Sequence, residues 1–186
     1  MILKLAPEGQ HFSFEPIPSY YHKLIKKYDN TTTIYPYALS STNGSSKFHF
    51  VKNAPAYSGI KKRRYDIKNP DIEEINVELK RLDDLIPKGI KIDFVKIDVE
   101  GGEFDVLKGG KNLLKSSKPI IVLETGLGAS DFYGTKPENL YDFIHTELDM
   151  NISLLDSFLK GDNSLSKQSF ENIFNKNLEF YFVIHP

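Results

Sequence analysis

The chain has 186 residues, 40% of them apolar and 26% charged, with a formal net charge of −1. That is enough chain for one domain with a real core, and so small a charge excludes bulk electrostatic attraction to nucleic acid or to an anionic membrane. Cysteine is absent, which excludes disulfides, thiolate metal sites and cysteine nucleophiles. No apolar run is long enough to span a bilayer, residues 1–7 carry no signal-peptide pattern, and a cytoplasmic location is the expectation.

In chain order, Phe12-Ser13-Phe14 ends a first strand at Glu15-Pro16. Tyr21, Leu24, Ile25 and Tyr28 then share one helical face. Thr33 to Leu39 reads as a strand, and Lys47 to Val51 as another after a turn at Asn43-Gly44. Ile75 to Leu82 alternates like an edge or hairpin strand. Ile92 to Val99 is rich in Ile, Val and Phe and reads as a strand buried on both faces of a parallel sheet. Gly101-Gly102 breaks it, and Glu103 opens a helix with Val106, Leu107, Gly110, Leu113 and Leu114 on one face. Pro119 to Glu124 is a second buried strand. Thr135-Lys136-Pro137-Glu138 reads as a capping box for a helix carrying Leu140, Phe143, Ile144 and Leu148. A strand over Ile152–Phe158, a short helix around Phe170, Ile173 and Phe174, and a final strand over Leu178–Ile184 complete the series. Repeated strand–helix–strand order implies an α/β domain with a mostly parallel sheet covered on both faces.

Ligands in open α/β sheets bind beyond the carboxyl ends of the strands. Glu15, Asp98, Glu100 and Glu124 all fall at such ends. Gathered acids cost free energy unless something pairs with them, and a ligand with hydroxyls, a cation or a sulfonium would do so. Glu15 suits two ribose hydroxyls, or else caps the following helix. Asp98 could orient a substrate hydroxyl, act as general base or help hold a divalent ion. Glu103 is better read as a favourable acid at a helix N-terminus. Lys96, two residues before Asp98, could pair with a carboxylate. The run Lys61-Lys62-Arg63-Arg64 is either a solvated loop or a segment that closes over an anionic or sugar substrate. The five histidines show no metal-ligand spacing, and His145 reads as a core or surface residue.

The stretch Phe94-Val95-Lys96-Ile97-Asp98-Val99-Glu100-Gly101-Gly102-Glu103-Phe104-Asp105-Val106-Leu107-Lys108-Gly109-Gly110 strongly resembles the signature of the FkbM family of S-adenosylmethionine-dependent methyltransferases. Phe14-Glu15-Pro16, Ala38-Leu39-Ser40, Arg81-Leu82-Asp83-Asp84-Leu85 and Pro119 to Glu124 are similar to other family elements in the same order. The resemblance implies a Rossmann-like doubly wound sheet, mostly parallel with an antiparallel last strand, forming a single domain over 1–186. It implies methyl transfer from S-adenosylmethionine to a hydroxyl of a sugar, a glycan or another small metabolite. Glu15, with Pro16 beside it, would hold the ribose. Ala38 and Leu39 would line the adenine pocket. Asp98 would face the reacting centre and share the catalytic turn with Glu100.

The family's opening strand and its Asp-x-Gly-x-x-x-Gly type loop have no counterpart before Phe12, and Ile2 to Ala6 resembles the tail of the helix after that loop. The expectations are therefore an N-terminally incomplete sheet, a gap between the Phe12 strand and the Ile92 strand, and weak cofactor binding by the chain alone. Two rivals follow: a sugar-nucleotide transferase holding a divalent ion at Asp98 and Glu100, and a non-catalytic remnant with a broken cofactor pocket.

Overall fold

The computed structural model of the protein describes residues 2–186. A short helix, α1 (Ile2–Leu5), precedes β1 (Phe12–Phe14). α2 (Pro18–Tyr28) carries Pro18 in its first turn, where a missing N–H costs nothing. The strand expected over Thr33–Leu39 is two strands, β2 (Thr33–Tyr35) and β3 (Tyr37–Leu39). Pro36 between them has no N–H to give to a ladder, and the chain changes partners there. β2 runs parallel to β1, while β3 runs parallel to β5 (Ile72–Lys80). β4 (Gly44–Val51) lies antiparallel on the other side of β5, so β5 is the central strand of its sheet rather than an edge.

The second half is a four-stranded sheet in the order β6 (Phe94–Ile97), β7 (Ile120–Glu124), β9 (Tyr181–His185), β8 (Asn151–Leu154). β6 and β7 are parallel, and β9 is antiparallel to both β7 and β8. The fold is thus α/β with mixed sheets: three parallel and three antiparallel pairings among the described residues, where a mostly parallel sheet was expected. The last strand is antiparallel, as expected. No ladder joins β1 to β6 among the described residues, so an interruption lies where the gap was expected. β6 is consequently an edge strand, and Phe94 and Lys96 are exposed rather than buried on both faces.

Helices depart from the expected pattern at identifiable places. α3 (Leu82–Leu85) leads toward β6. The helix expected from Glu103 onward is α4 (Glu103–Gly109) and α5 (Lys111–Ser117), broken at Gly110. Gly109 lies so close to β3 that an added Cβ would sit 2.0 Å from the Ser40 carbonyl oxygen. α6 (Pro137–Asp142) has Lys136 at its N-cap with no side-chain cap, so the expected capping box at Thr135 does not form. The helix continues as a π-helical turn over Phe143–Glu147. The strand expected over Ile152–Phe158 stops at Leu154, and α7 (Leu155–Lys160) takes over. α8 (Lys167–Asn175) is capped by Ser166, whose Oγ accepts from the Ser169 N–H at 3.2 Å.

The main core gathers Leu107, Leu114, Ile121, Leu123, Leu140, Ile144, Phe170 and Phe182, none with exposed surface, and Phe12 and Phe14 pack against it. A smaller cluster of Ile17, Ala38, Phe48 and Val77 serves the β3–β5–β4 sheet. No helix among the described residues is long and apolar enough to cross a membrane.

Candidate functional site at the strand ends

β6 and β7 are parallel, so their carboxyl ends bring Asp98 and Glu124 to one edge. β9 runs the other way and begins at that edge, with Tyr181 opposite Glu124 in register. The charge of Glu124 holds the Tyr181 phenol above its ordinary range. Asp98 is partly exposed, and its Oδ2 lies 2.5 Å from Lys96 Nζ, the pairing expected from their spacing.

The turn after Asp98 is tightly built. Glu100 sits at φ 57° and Gly101 at φ 109°, both in the left-handed region. At Glu100 that backbone costs roughly 1–2 kcal/mol. At Gly101 no side chain fits, because a Cβ would lie 2.6 Å from the Ala129 carbonyl oxygen. Glu103 holds this turn from below. Its carboxylate accepts from the N–H groups of Gly101 (2.8 Å) and Val99 (3.3 Å), and from Ser130 Oγ (3.4 Å). Ser130 in turn lies 3.0 Å from Thr125 Oγ1 and accepts from the Gly126 N–H at 3.2 Å. One buried acid therefore ties the turn after β6 to the turn after β7. Burial pushes the Glu103 carboxyl up, and the hydrogen bonds it accepts from Gly101 and Val99 oppose that shift. Residues at a helix N-terminus are usually solvated, which is why Glu103 read as a bland acid; its burial comes from the 125–130 turn folding over it.

The basic run lies across the same edge. Gly59 pairs with His49 of β4, the Lys61 N–H donates to the Tyr133 hydroxyl (3.0 Å), and the Arg64 N–H donates to the Gly128 carbonyl (3.0 Å). Arg63 forms an ion pair with Glu100 and rests over the Tyr57 ring at 5.0 Å. Burial pushes the Tyr133 phenol up to about 12, so at neutral pH it is un-ionised and free to accept the Lys61 N–H. Residues 59–64 thus form a strap from the three-stranded sheet to the carboxyl ends of the four-stranded one. Ser130, Tyr133 and Phe180 were missed from the sequence. An antiparallel last strand that starts where the others end is the one signal that could have found Phe180.

Beneath the strap is a cavity of about 170 Å³ whose lining includes Arg64, Asp98, Glu100, Glu124, Thr125 and Phe180. Of the residues singled out in the sequence, it unites Asp98, Glu100, Glu103 and Glu124 with Arg63 and Arg64. It does not include Glu15, Pro16, Ala38 or Leu39. Glu15 is half-buried at the end of β1, and its Oε1 accepts the Ile17 N–H at 2.7 Å, next to the start of α2. Burial raises its pKa. Ala38 is buried in the smaller core, and Leu39 packs toward the main one. Among the described residues no three His, Cys, Asp or Glu side chains converge so as to hold a metal ion. A wider depression of about 510 Å³ lies between α3, α5 and the segment before β6, but its well-buried acid, Asp83, is committed to Arg81 and to the N–H groups of Asn112 and Leu113.

A family model described as the methyltransferase FkbM domain matches residues 1–153. The hexuronic acid methyltransferase AglP of Haloferax volcanii is 33% identical over 128 residues, which are 64% of this chain and 49% of that protein. The chain thus spans about half the length of the curated relative it matches. The crystal structure of methyltransferase FkbM from Methylobacillus flagellatus superposes with a TM-score of 0.52 at 11% identity, covering 99% of this chain and 39% of that one, a likeness of fold.

Proposed function

The chain belongs to the FkbM methyltransferase family, and from that premise we propose that it is an S-adenosylmethionine-dependent O-methyltransferase acting on a hydroxyl of a sugar, a glycan or another small metabolite. In this reading the strands are parts of one Rossmann-like doubly wound domain over 1–186, working in the cytoplasm. The name of the Haloferax relative supports a sugar acceptor. The observation that carries the reading is the strand-end edge itself, where Asp98 and Glu124 open into one small cavity.

Glu15 has the chemistry to hold the cofactor's ribose. One carboxylate oxygen is satisfied by the Ile17 N–H, no cation pairs with it among the described residues, and burial raises its pKa. Two hydroxyl donors would meet that need. Pro16 fixes the chain beside it, and Ala38 and Leu39 of β3 would line the adenine pocket. S-adenosylmethionine supplies an electrophilic methyl on a sulfonium sulfur. Asp98 accepts the acceptor hydroxyl's proton, with Lys96 steadying its charge. Glu100, held by Arg63, fixes the turn that aims Asp98.

A divalent ion at Asp98 and Glu100 finds less support, since Lys96 and Arg63 already neutralise those acids. The test is calorimetric titration with S-adenosylmethionine. Weak binding is expected of the chain alone, and Glu15→Ala should weaken it further by about 1–3 kcal/mol. With a competent acceptor, Asp98→Asn should lower kcat by roughly 10²–10⁴-fold. No cofactor binding would favour the non-catalytic remnant, and unchanged affinity in Glu15→Ala would remove Glu15 from the site.

A further inference from the structure

We propose that Arg64 and Phe180 form an acceptor subsite selective for a sugar ring that bears a carboxylate, a refinement that rests on the sugar-methyltransferase reading above. Both side chains are rooted on the turn 126–128. An added Cβ at Gly126 would lie 2.9 Å from the Phe180 ring, and one at Gly128 would lie 3.2 Å from the Arg64 guanidinium carbon. Each glycine therefore lets a flat group lie directly on the backbone. The Thr125 N–H donates to the Phe180 carbonyl at 3.0 Å, and the Arg64 N–H donates to the Gly128 carbonyl at 3.0 Å, so both walls are fixed from behind. Phe180 nevertheless keeps 39% of its surface exposed while lining the cavity. An aromatic ring packed on one side and open on the other is a platform for the apolar face of a ring-shaped ligand.

Charge pairing decides what else the ligand must carry. Asp98 is paired with Lys96, Glu100 with Arg63, and Glu103 is buried behind the turn. Among the described residues Arg64 pairs only with Asp66, through Nε at 3.4 Å, and its two terminal nitrogens, resting over Gly128, make no hydrogen bond. Glu124 has the Tyr181 hydroxyl beside it. The open groups are thus one guanidinium fork, which matches a carboxylate in two-point geometry, and one carboxylate suited to a hydroxyl. A cavity of about 170 Å³ is smaller than the roughly 300–1,000 Å³ of pockets for larger ligands. It has room for a single ring, consistent with an acceptor unit rather than a whole cofactor.

The test compares methyl β-D-glucuronide with methyl β-D-glucoside, which differ only in the acid, as ligands in calorimetric titrations of the protein. The glucuronide should bind about tenfold more tightly, the worth of one hydrogen-bonded charge. Arg64→Gln should bring the two ligands to equal affinity, and Arg64→Lys should restore part of the preference. Phe180→Ala should weaken both ligands alike, while Phe180→Tyr should hold both. Equal binding of the two glycosides by the unaltered protein, or a preference that survives Arg64→Gln, would overturn the proposal. The readout needs no methyl transfer. A glucuronide preference in a protein that never methylates would strike the enzymatic reading and leave the subsite standing.

Discussion

In the four-stranded sheet Ile121, Leu123, Phe182 and Ile184 have no exposed surface, whereas in the three-stranded sheet Val51 alone among the described residues has none and Ala38, Phe48 and Val77 keep 5–7% of theirs. The four-stranded half has helices α3 to α6 and α8 contributing to its core; the three-stranded half buries a smaller cluster with α2 alone contributing. The acids of the candidate site belong to the four-stranded half, fixed by a buried carboxylate. The arginines that meet them belong to a strap from the three-stranded half, held mainly through backbone hydrogen bonds and one ion pair. A rigid floor with a more yielding cover lets a ligand enter without disturbing the groups that must stay aligned.

The comparison is broken or sharpened first in the cores. Phe170→Ala in the main cluster should cost about 3–5 kcal/mol in denaturant unfolding, and Val77→Ala in the smaller one about 1–2 kcal/mol. A loss at Val77 as large as that at Phe170 would remove the contrast between the two cores. Next is the floor. Glu103→Ala orphans the N–H groups of Gly101 and Val99 and should cost about 2–4 kcal/mol. Glu103→Gln should cost less and should change the pH dependence. The native carboxyl is raised above its ordinary 4.5, so as pH climbs past that value the unfolded chain ionises first. Stability is then fully present at lower pH and falls as pH rises through the native value. Glu103→Gln should flatten that decline, leaving the part of the same sign that Glu15 contributes. A slope unaltered in the variant would show that Glu103 ionises as easily folded as unfolded. A smaller effect is expected at the joint between the halves. Gly109→Ala drives a methyl into the Ser40 carbonyl and should cost about 1–3 kcal/mol, read from the same unfolding curves.

Much of the four-stranded half was legible because its signals are local. The apolar strand ending in Asp98, the glycine pair and the helical face of Val106 and Leu107 each sit within a few residues of one another. The antiparallel last strand and the Lys96–Asp98 pair were legible too. What escaped depends on contacts distant in sequence. Gly110 reads as one more small residue on a helix face until Ser40 presses against its neighbour. Pro36 reads as a residue inside a strand until the partner strands are known. Ile152 to Phe158 reads as one strand, yet the strand has already stopped at Leu154 and a helix begins. Glu15, Pro16, Ala38 and Leu39 stood together as cofactor residues only through the resemblance. They lie on the β1 and β3 strand ends, apart from the cavity, and their part in binding rests on the proposal. Arg63 and Arg64 were left between a solvated loop and a closing segment, and it is Tyr133, 72 residues beyond Lys61, and Gly128, 64 beyond Arg64, that bring the run to the strand ends.

The two strap amides offer a direct gauge of opening. The Lys61 N–H is capped by a phenol and the Arg64 N–H by a carbonyl, and both caps belong to the segment after β7. Neither amide lies in a helix or a strand, so hydrogen–deuterium exchange at these two positions is retarded only while the strap stays seated. Their protection factors, set against those of β7, report the free energy of lifting the strap separately from that of unfolding the sheet below.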